Sequence, residues 1–362
     1  FSEKYFFAAM PSTVKRVAVI DRTIEQGALG EPLYLDVKSV YYGKENAPLI
    51  IGGRYGLASK DTTPDMINAI YQNLAGEAKN PFTVGINDDI KHTSLEVTEH
   101  IDVADPTTTE LLFFGLGSDG TVGACKNTSK IIGDNTDLYS QSYAAYDSKK
   151  SGGSTRLHLR FGKNPIRSTY LVNNPHFVSC STDAYLAKFN MIDGLRQGGT
   201  FLLNTVCPVE EIETLLPNRY KRILAERNAK FYIINANKLA VEIGLKGKTN
   251  TIMQSAFFKL NQHILPYEKA KELMKAYAAK TFAKKGQAII ECNYNAIDAG
   301  GDLLVEVEVK PEWANLTDEV KAVDMTRPEF VREIADPINS LKGDAIPLSV
   351  FKKYTDAHMP QG

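Results

Sequence analysis

Short apolar runs alternate with amphipathic segments along most of the chain, and the runs have the length of buried strands. The first run, 15–23, is followed by a loop and by Pro32, which suits the first position of a helix. A second run, 48–53, precedes a helix predicted at about 64–74. We therefore predict a βαβα piece at the start of the chain, too small to bury a core of its own.

The same alternation continues through residues 108–300 and predicts an α/β fold with a doubly wound, mostly parallel sheet. Besides the strand that begins at Glu110, strands are predicted at 138–143, 168–172, 177–181, 199–204 and 230–235. Helices are predicted at 121–132, 184–195, 210–225, 236–243, 253–261 and 266–284, with 287–299 continuing the last helix or capping it. Residues 144–165 are predicted to form a long irregular loop. From about residue 303 onward, prolines break an irregular tail that resembles a linker.

A glycine-rich turn lies where the strand from Glu110 meets the helix 121–132. Gly115, Gly117 and Gly120 have the Gly-x-Gly-x-x-Gly spacing, in which backbone N–H groups approach a phosphate at the positive end of a helix. Asp119, inside the turn, is expected to cap or brace it. The alternative is a tight strand-to-helix turn that packs closely and binds nothing.

The segment after the next predicted strand carries clustered positive charge. A nicotinamide-binding domain would have an acidic residue at the end of that strand, but Ser142 and Tyr143 stand there. Five cations follow within 19 positions, at Lys149, Lys150, Arg156, Lys163 and Arg167. Beside a glycine turn, they favour a ligand with several phosphates over the alternative, a solvated basic loop.

Composition and charge narrow the class of protein. The 362 residues suffice for two domains, and a net charge of -1 argues against a general nucleic-acid binder. We expect no membrane partner, because no apolar run is long enough to span a bilayer. Four widely separated cysteines predict reduced thiols rather than a zinc site or a cluster. The histidines are scattered, and spacing alone names no nucleophile–base pair. Because the chain begins with Phe1, we expect a fragment of a longer protein.

Several longer motifs resemble pyruvate:ferredoxin (flavodoxin) oxidoreductase. They lie at 115–124, 142–153, 159–162 and 250–260, and upstream at 18–23 and 27–34. The resemblance implies a multidomain homodimer that decarboxylates pyruvate on thiamine diphosphate. Electrons then pass through iron–sulfur clusters to ferredoxin or flavodoxin, and the acetyl group goes to coenzyme A.

The resemblance also implies which part of that enzyme the chain represents. It assigns 1–80 to the end of a transketolase C-terminal-like domain, 81–104 to a linker, 105–300 to the gamma-type domain associated with coenzyme A, and 301–362 to an incomplete linker domain. The chain contains no Gly-Asp-Gly motif for thiamine diphosphate and no closely spaced cysteines for [4Fe-4S] clusters. The partners expected are therefore the other domains of the same enzyme, and the isolated segment is expected to be inactive. The implied location is the cytoplasm, or a hydrogenosome in an anaerobic protist.

The resemblance suggests a coenzyme A site as well. Its pyrophosphate would lie on the turn that includes Gly115, against the N–H groups of Gly117, Ser118, Asp119, Gly120 and Thr121. Phosphate or adenosine contacts would come from Lys149, Lys150, Arg156, Arg160 and Lys163. Cys125 stands where the family commonly has Asn. Two other hypotheses stay open: a free-standing dinucleotide-binding oxidoreductase, and a structural segment whose glycine turn only packs.

Overall fold

The computed structural model describes residues 1–117, 119–147, 153–245, 247–319, 324–355 and 358. Their contacts divide the chain into two compact units. The first unit comprises residues 1–103 together with 322–362, and the second unit comprises 104–321. The four-part domain division expected from the sequence remains a prediction.

The described residues form ten strands and eleven α-helices. The strands are β1 (Arg16–Asp21), β2 (Leu49–Arg54), β3 (Phe82–Thr83), β4 (Thr109–Leu116), β5 (Tyr139–Tyr146), β6 (Ser154–Gly162), β7 (Phe177–Cys180), β8 (Thr200–Asn204), β9 (Lys230–Ile234) and β10 (Val305–Val307). The helices are α1 (Glu3–Ala9), α2 (Pro32–Tyr41), α3 (Pro64–Ala75), α4 (Thr121–Asn135), α5 (Ile212–Leu215), α6 (Asn218–Glu226), α7 (Ala236–Glu242), α8 (Asn250–Leu260), α9 (Tyr267–Phe282), α10 (Gln287–Gly300) and α11 (Asp336–Asn339).

The first unit is built on a parallel sheet with strand order β1-β2-β3. Pro32 and Pro64 each occupy the first turn of a helix, where the missing proline N–H needs no acceptor. The predicted βαβα elements are therefore confirmed. One side of the sheet packs around Val19 and Tyr34, and the other around Ile51 and Phe82.

The tail of the chain packs within this first unit. The N–H of Leu348 donates to the carbonyl of Asn87 at 3.1 Å, and the N–H of Ser349 donates to Asp89 Oδ1 at 2.9 Å. A π-helical turn, Val331–Ala335, leads directly into α11. Residues far apart in the sequence thus complete one compact body.

The second unit contains a sheet with strand order β10-β9-β8-β7-β4-β6-β5 among the described residues. Strands β4, β7, β8 and β9 are parallel neighbours, and β6 and β10 run the other way. Since β5 pairs antiparallel with β6, it points in the same direction as β4. Five of these seven strands therefore share one direction, which confirms the mostly parallel α/β sheet.

Helices cover both faces of this sheet, as a doubly wound fold requires. On one face α4, α7, α8, α9 and α10 bury a core that contains Phe113 and Phe257. On the other face α5, α6 and the segment 185–195 bury a core that contains Phe114 and Phe201.

Three local predictions are wrong. The expected loop 144–165 contains β6, whose Leu157, Leu159 and Phe161 alternate into the core, as a strand requires. Residues 184–195 do not form the expected helix, and the predicted strand 168–172 is irregular. In both segments side chains satisfy part of the backbone: Met191 N–H donates to Tyr220 Oη at 3.2 Å, and Val172 N–H donates to His158 Nδ1 at 3.1 Å.

Candidate functional site

The glycine turn connects β4 directly to α4, as the spacing predicts. Gly120 is the residue before the helix and has a φ of 91°, a conformation that favours glycine. A Cβ on Gly115 would lie 2.6 Å from Cβ and Oγ1 of Thr121. Glycine at this position therefore lets the start of α4 approach the end of β4 closely.

Asp119 closes this turn on itself. Its carboxylate accepts the N–H of Leu116 at 2.9 Å and the N–H of Thr121 at 2.8 Å, while its own N–H donates to the Leu116 carbonyl at 3.2 Å. The expected bracing role of Asp119 is confirmed. The prediction that the Asp119 and Thr121 amides hold a diphosphate is wrong, because both already have acceptors within the protein. A phosphate here would also face a carboxylate at the same helix end.

The other predicted ligands around the turn have different fates. Gly117 is exposed, and a Cβ there would make only an ordinary contact, at 3.7 Å from the Gly153 carbonyl oxygen. Three further predicted contacts, Ser118, Lys149 and Lys150, lie outside the described residues. Their contribution to binding stays a prediction.

The predicted basic residues of β6 are spread along the strand. Arg156 pairs with Phe114, two residues from the end of β4, so it lies near the glycine turn. Arg160 pairs with Glu110, six residues from that end, which corresponds to about 20 Å along a strand. Lys163 follows β6 at the opposite edge of the sheet, where its N–H donates to Thr107 Oγ1 at 3.4 Å. Lys163 therefore does not join the turn in one phosphate site.

Arg160 is a structural residue. It is 3% exposed, and its Nε donates to Glu110 Oε1 at 2.7 Å. Its Nη1 donates to Gln141 Oε1 at 2.9 Å and to the Tyr170 carbonyl at 2.8 Å. Arg196 Nη2 donates to the second oxygen of the same glutamate at 2.9 Å. The prediction that Arg160 contacts a phosphorylated ligand is wrong, because its guanidinium is buried in this network.

A small cavity of about 30 Å³ lies behind the glycine turn. It is lined by α4, by the end of β7 and by the start of α8, and it has room for about one or two water molecules. Among its polar lining residues are Thr121, Ser179, Ser181, Asn250 and Gln254. Ser181 Oγ is buried without a hydrogen-bond partner among the described residues. The cavity therefore presents polar groups to a ligand or to water.

A larger cleft of about 740 Å³ shares Ala124, Asn250 and Gln254 with this cavity. It lies between α4, α8 and α9 and has the size of a small-molecule site. Its charged lining residues are Lys126, Lys130, Lys248, Lys280 and Asp134. Sequence reasoning missed these lysines, although Lys126 and Lys130 are four residues apart on one helix and therefore share a face.

The cavity lies at the carboxyl ends of β4 and β7, where the sheet changes its winding direction. After β4 the chain passes through α4 to β5 on one side, whereas β7 adds to the other side of β4. Doubly wound sheets bind ligands in the crevice at such a switch point. The position therefore marks the cavity and the cleft as the candidate site.

Titratable groups near the cavity are held neutral by burial. Burial raises the pKa of the Cys125 thiol well above its usual range, and it raises the pKa of Cys180 to about 12. Burial, helped by two neighbouring arginines, lowers the pKa of His158 to about 3. Neutral thiols are poor nucleophiles, so the site is suited to binding rather than to covalent catalysis.

Two surveys of the described residues frame this site. They contain no helix long and apolar enough to cross a bilayer. They also contain no group of three or more histidine, cysteine, aspartate or glutamate side chains that could hold a metal ion.

The second unit matches a protein-family model. The model described as pyruvate ferredoxin/flavodoxin oxidoreductase matches residues 110–303, and a domain of unknown function matches residues 317–362. Among solved structures, the pyruvate oxidoreductase subunit PORC from Thermotoga maritima is similar with a TM-score of 0.45 at 22% identity. That likeness covers 56% of this chain and 99% of the subunit.

Full-length relatives extend the match to nearly the whole chain. The pyruvate:ferredoxin oxidoreductase of Moorella thermoacetica is 48% identical over 352 residues, which is 97% of this chain and 30% of the relative. The pyruvate-flavodoxin oxidoreductase of Enterobacter agglomerans is 48% identical over 364 residues, which is 100% of this chain and 31% of the relative. The chain thus spans about 30% of the length of these relatives. Because the family model covers more than half of its residues, the chain belongs to the pyruvate ferredoxin/flavodoxin oxidoreductase family.

Proposed function

We propose that this chain is a segment of a pyruvate:ferredoxin or pyruvate:flavodoxin oxidoreductase, to which it contributes coenzyme A binding. The complete enzyme would oxidise and decarboxylate pyruvate, transfer the acetyl group to coenzyme A, and pass electrons to ferredoxin or flavodoxin. The names of the relatives and the identity over nearly the whole chain support this role. We assign the longer protein to the cytoplasm, as a homodimer, on the same family resemblance.

One observation carries the coenzyme A proposal: the cavity and the cleft join at the switch point of the sheet. Together they present the starts of α4 and α8, several polar side chains and four lysines to one continuous space. Coenzyme A is a long molecule with a phosphorylated nucleotide at one end and a thiol arm at the other. A wide basic cleft that narrows into a small polar cavity fits both parts.

The redox groups of the family do not fit the residues of this chain. Iron–sulfur clusters need accessible thiolates, whereas Cys125 and Cys180 are buried and their pKa values are raised. The thiamine diphosphate motif is also missing from the sequence. We therefore assign both groups to other parts of the longer protein, where they would supply the decarboxylation and electron-transfer chemistry. This chain would bind and orient the acetyl acceptor.

The sheet order argues against the dinucleotide-binding alternative. In a nicotinamide-binding domain the second strand neighbours the first, and its acidic end holds the ribose. Here the antiparallel strand β6 separates β5 from β4. A structural segment remains the second candidate, because Asp119 closes the glycine turn without any ligand.

Isothermal titration calorimetry of the 362-residue chain with coenzyme A, dephospho-coenzyme A and NAD tests these readings. We expect coenzyme A to bind more tightly than its dephospho form, because the additional phosphate meets the basic cleft. Preference for NAD would overturn the proposal in favour of the dinucleotide-binding protein. Absence of binding would overturn it in favour of the structural segment, provided that fluorescence of the buried Trp313 shows a folded second unit.

A further inference from the structure

We propose that the cleft between α4, α8 and α9 holds the phosphate groups of the ligand, and that the glycine turn does not. The inference deepens the proposed function and rests on it for the identity of the ligand, coenzyme A. The chemistry recognised is more general: an anion that carries at least two phosphate groups. The argument starts from the charge of the cleft.

Four ammonium groups line the cleft against a single carboxylate among the described lining residues, that of Asp134. Lys126 and Lys130 come from α4, Lys280 comes from α9, and Lys248 immediately precedes α8. All four lysines are exposed, and none forms an ion pair among the described residues. By contrast, Lys275 on α9 points to a carboxylate, that of Asp298, at 2.7 Å. The cleft therefore holds uncompensated positive charge.

The start of α8 adds backbone donors to this charge. The first intrahelical bond runs from Met253 N–H to the Thr249 carbonyl at 2.9 Å, so the N–H groups of residues 250–252 have no acceptor within the helix. Thr249 provides no side-chain cap. The start of α4, by contrast, is capped by the Asp119 carboxylate. Of the two helix starts at this site, that of α8 is the one suited to an anion.

The two helix starts meet at Gly120. A Cβ on this glycine would lie 2.8 Å from Cγ of Asn250, the first residue of α8. The close approach brings the start of α8 and the lysine face of α4 to the same cleft, which both helices line.

An aromatic ring completes the cleft. Tyr277 lies between two of its lysines, with the ring centroid 5.9 Å from Lys130 Nζ and 5.8 Å from Lys280 Nζ. Its hydroxyl donates to Asp134 Oδ2 at 2.8 Å, which fixes the ring and engages the acidic residue of the cleft. A fixed aromatic face beside clustered cations suits a nucleotide, whose base stacks while its phosphates pair with the cations.

Calorimetry with inorganic pyrophosphate and with coenzyme A tests the inference on the 362-residue chain. The variant K126Q/K130Q removes two charges from the cleft, and K188Q/K238Q removes two exposed charges elsewhere in the second unit. We expect K126Q/K130Q to weaken both ligands by about tenfold for each ammonium removed. The control variant should stay within about twofold of the parent. The second cleft variant, K130Q/K280Q, should reproduce the loss, and higher salt should weaken the parent.

The two ligands separate this inference from the proposed function. If pyrophosphate binds and depends on the cleft lysines while coenzyme A does not bind, the anion site stands and the proposed function fails. If coenzyme A binds equally well to the parent and to both cleft variants, the proposed function stands and the inference is overturned. It is also overturned if the parent does not bind pyrophosphate. The variant D119N should leave pyrophosphate affinity unchanged, and a marked increase would return the phosphate to the glycine turn.

Discussion

The substitution Glu110→Gln should destabilise the second unit more than any exposed charge change in it. Glu110 is 2% exposed and lies between two guanidinium groups, accepting from Arg160 at 2.7 Å and from Arg196 at 2.9 Å. The amide keeps the shape of the side chain but removes the negative charge. Both arginines would then lack their counter-charge, and Arg160 has no access to water.

The magnitude follows from the burial of the three groups. Removing one member of a buried ion pair costs about 3–5 kcal/mol, because an unpaired charge is left in the interior. The Arg196 side chain is 27% exposed and keeps part of its hydration, so we expect a loss near the lower end, about 3 kcal/mol. With a urea m-value of about 2 kcal/mol/M, the unfolding midpoint should fall by about 1.5 M.

Tryptophan fluorescence gives an assay specific to this unit. Trp313 is the single tryptophan of the chain, is 3% exposed, and donates its Nε1–H to Glu213 Oε1 at 3.0 Å. Its emission in urea therefore follows the unfolding of the second unit and not that of the first. Glu272→Gln is the matched control, because this carboxylate pairs with Lys269 in an exposed position and should contribute less than about 0.5 kcal/mol.

A loss below about 1 kcal/mol for Glu110→Gln would refute the reasoning, since it would mean that the two guanidinium groups do not depend on the carboxylate. The double variant E110L/R160M provides a second check. It removes both fully buried charges and should be more stable than E110Q, because no unpaired charge remains in the interior.

Three further predictions concern the sheet and the turn. Because the folded pKa of His158, about 3, lies below its unfolded value, stability should be fully present above about pH 6.5 and fall by up to about 1.4 kcal/mol per pH unit down to about pH 3; urea titrations at pH 7 and 5 should show a smaller difference for H158Q, and an equal one would contradict this. Asp119→Ala removes two backbone caps and should cost about 1–2 kcal/mol, with Asp119→Asn in between; no change by urea titration would show that the caps are dispensable. Gly115→Ala places a Cβ 2.6 Å from Thr121 and should cost about 1–3 kcal/mol, whereas Gly123→Ala, with open space around it, should be neutral or stabilising in thermal melts; equal effects would argue against the close approach.

Elements with a strong local pattern were predictable from the sequence. The strands β7, β8 and β9 are continuous apolar runs, and the start of α2 is marked by Pro32. Strand β6 was missed because charged residues occupy its second face, where the pattern indicates a solvated loop. The structure buries Arg160 there by pairing it with Glu110, 50 residues earlier in the chain, and no local pattern contains that pairing.

The candidate site was predictable only in part. The strand, the turn, the helix start and the bracing role of Asp119 all follow from one short stretch of sequence. The cleft does not, because its lysines come from three separate parts of the chain, at Lys126 and Lys130, at Lys248 and at Lys280. Only the packing of α4, α8 and α9 brings them to one place.

The division of the first unit between both ends of the chain has a consequence for biosynthesis. Residues 324–355, which pack with 1–103, are translated only after the whole of 104–321 has been made. On the ribosome the second unit can therefore mature first, while the early sheet waits with part of its apolar surface uncovered. A chaperone that shields nascent chains would accordingly be needed longest by the residues that emerge first.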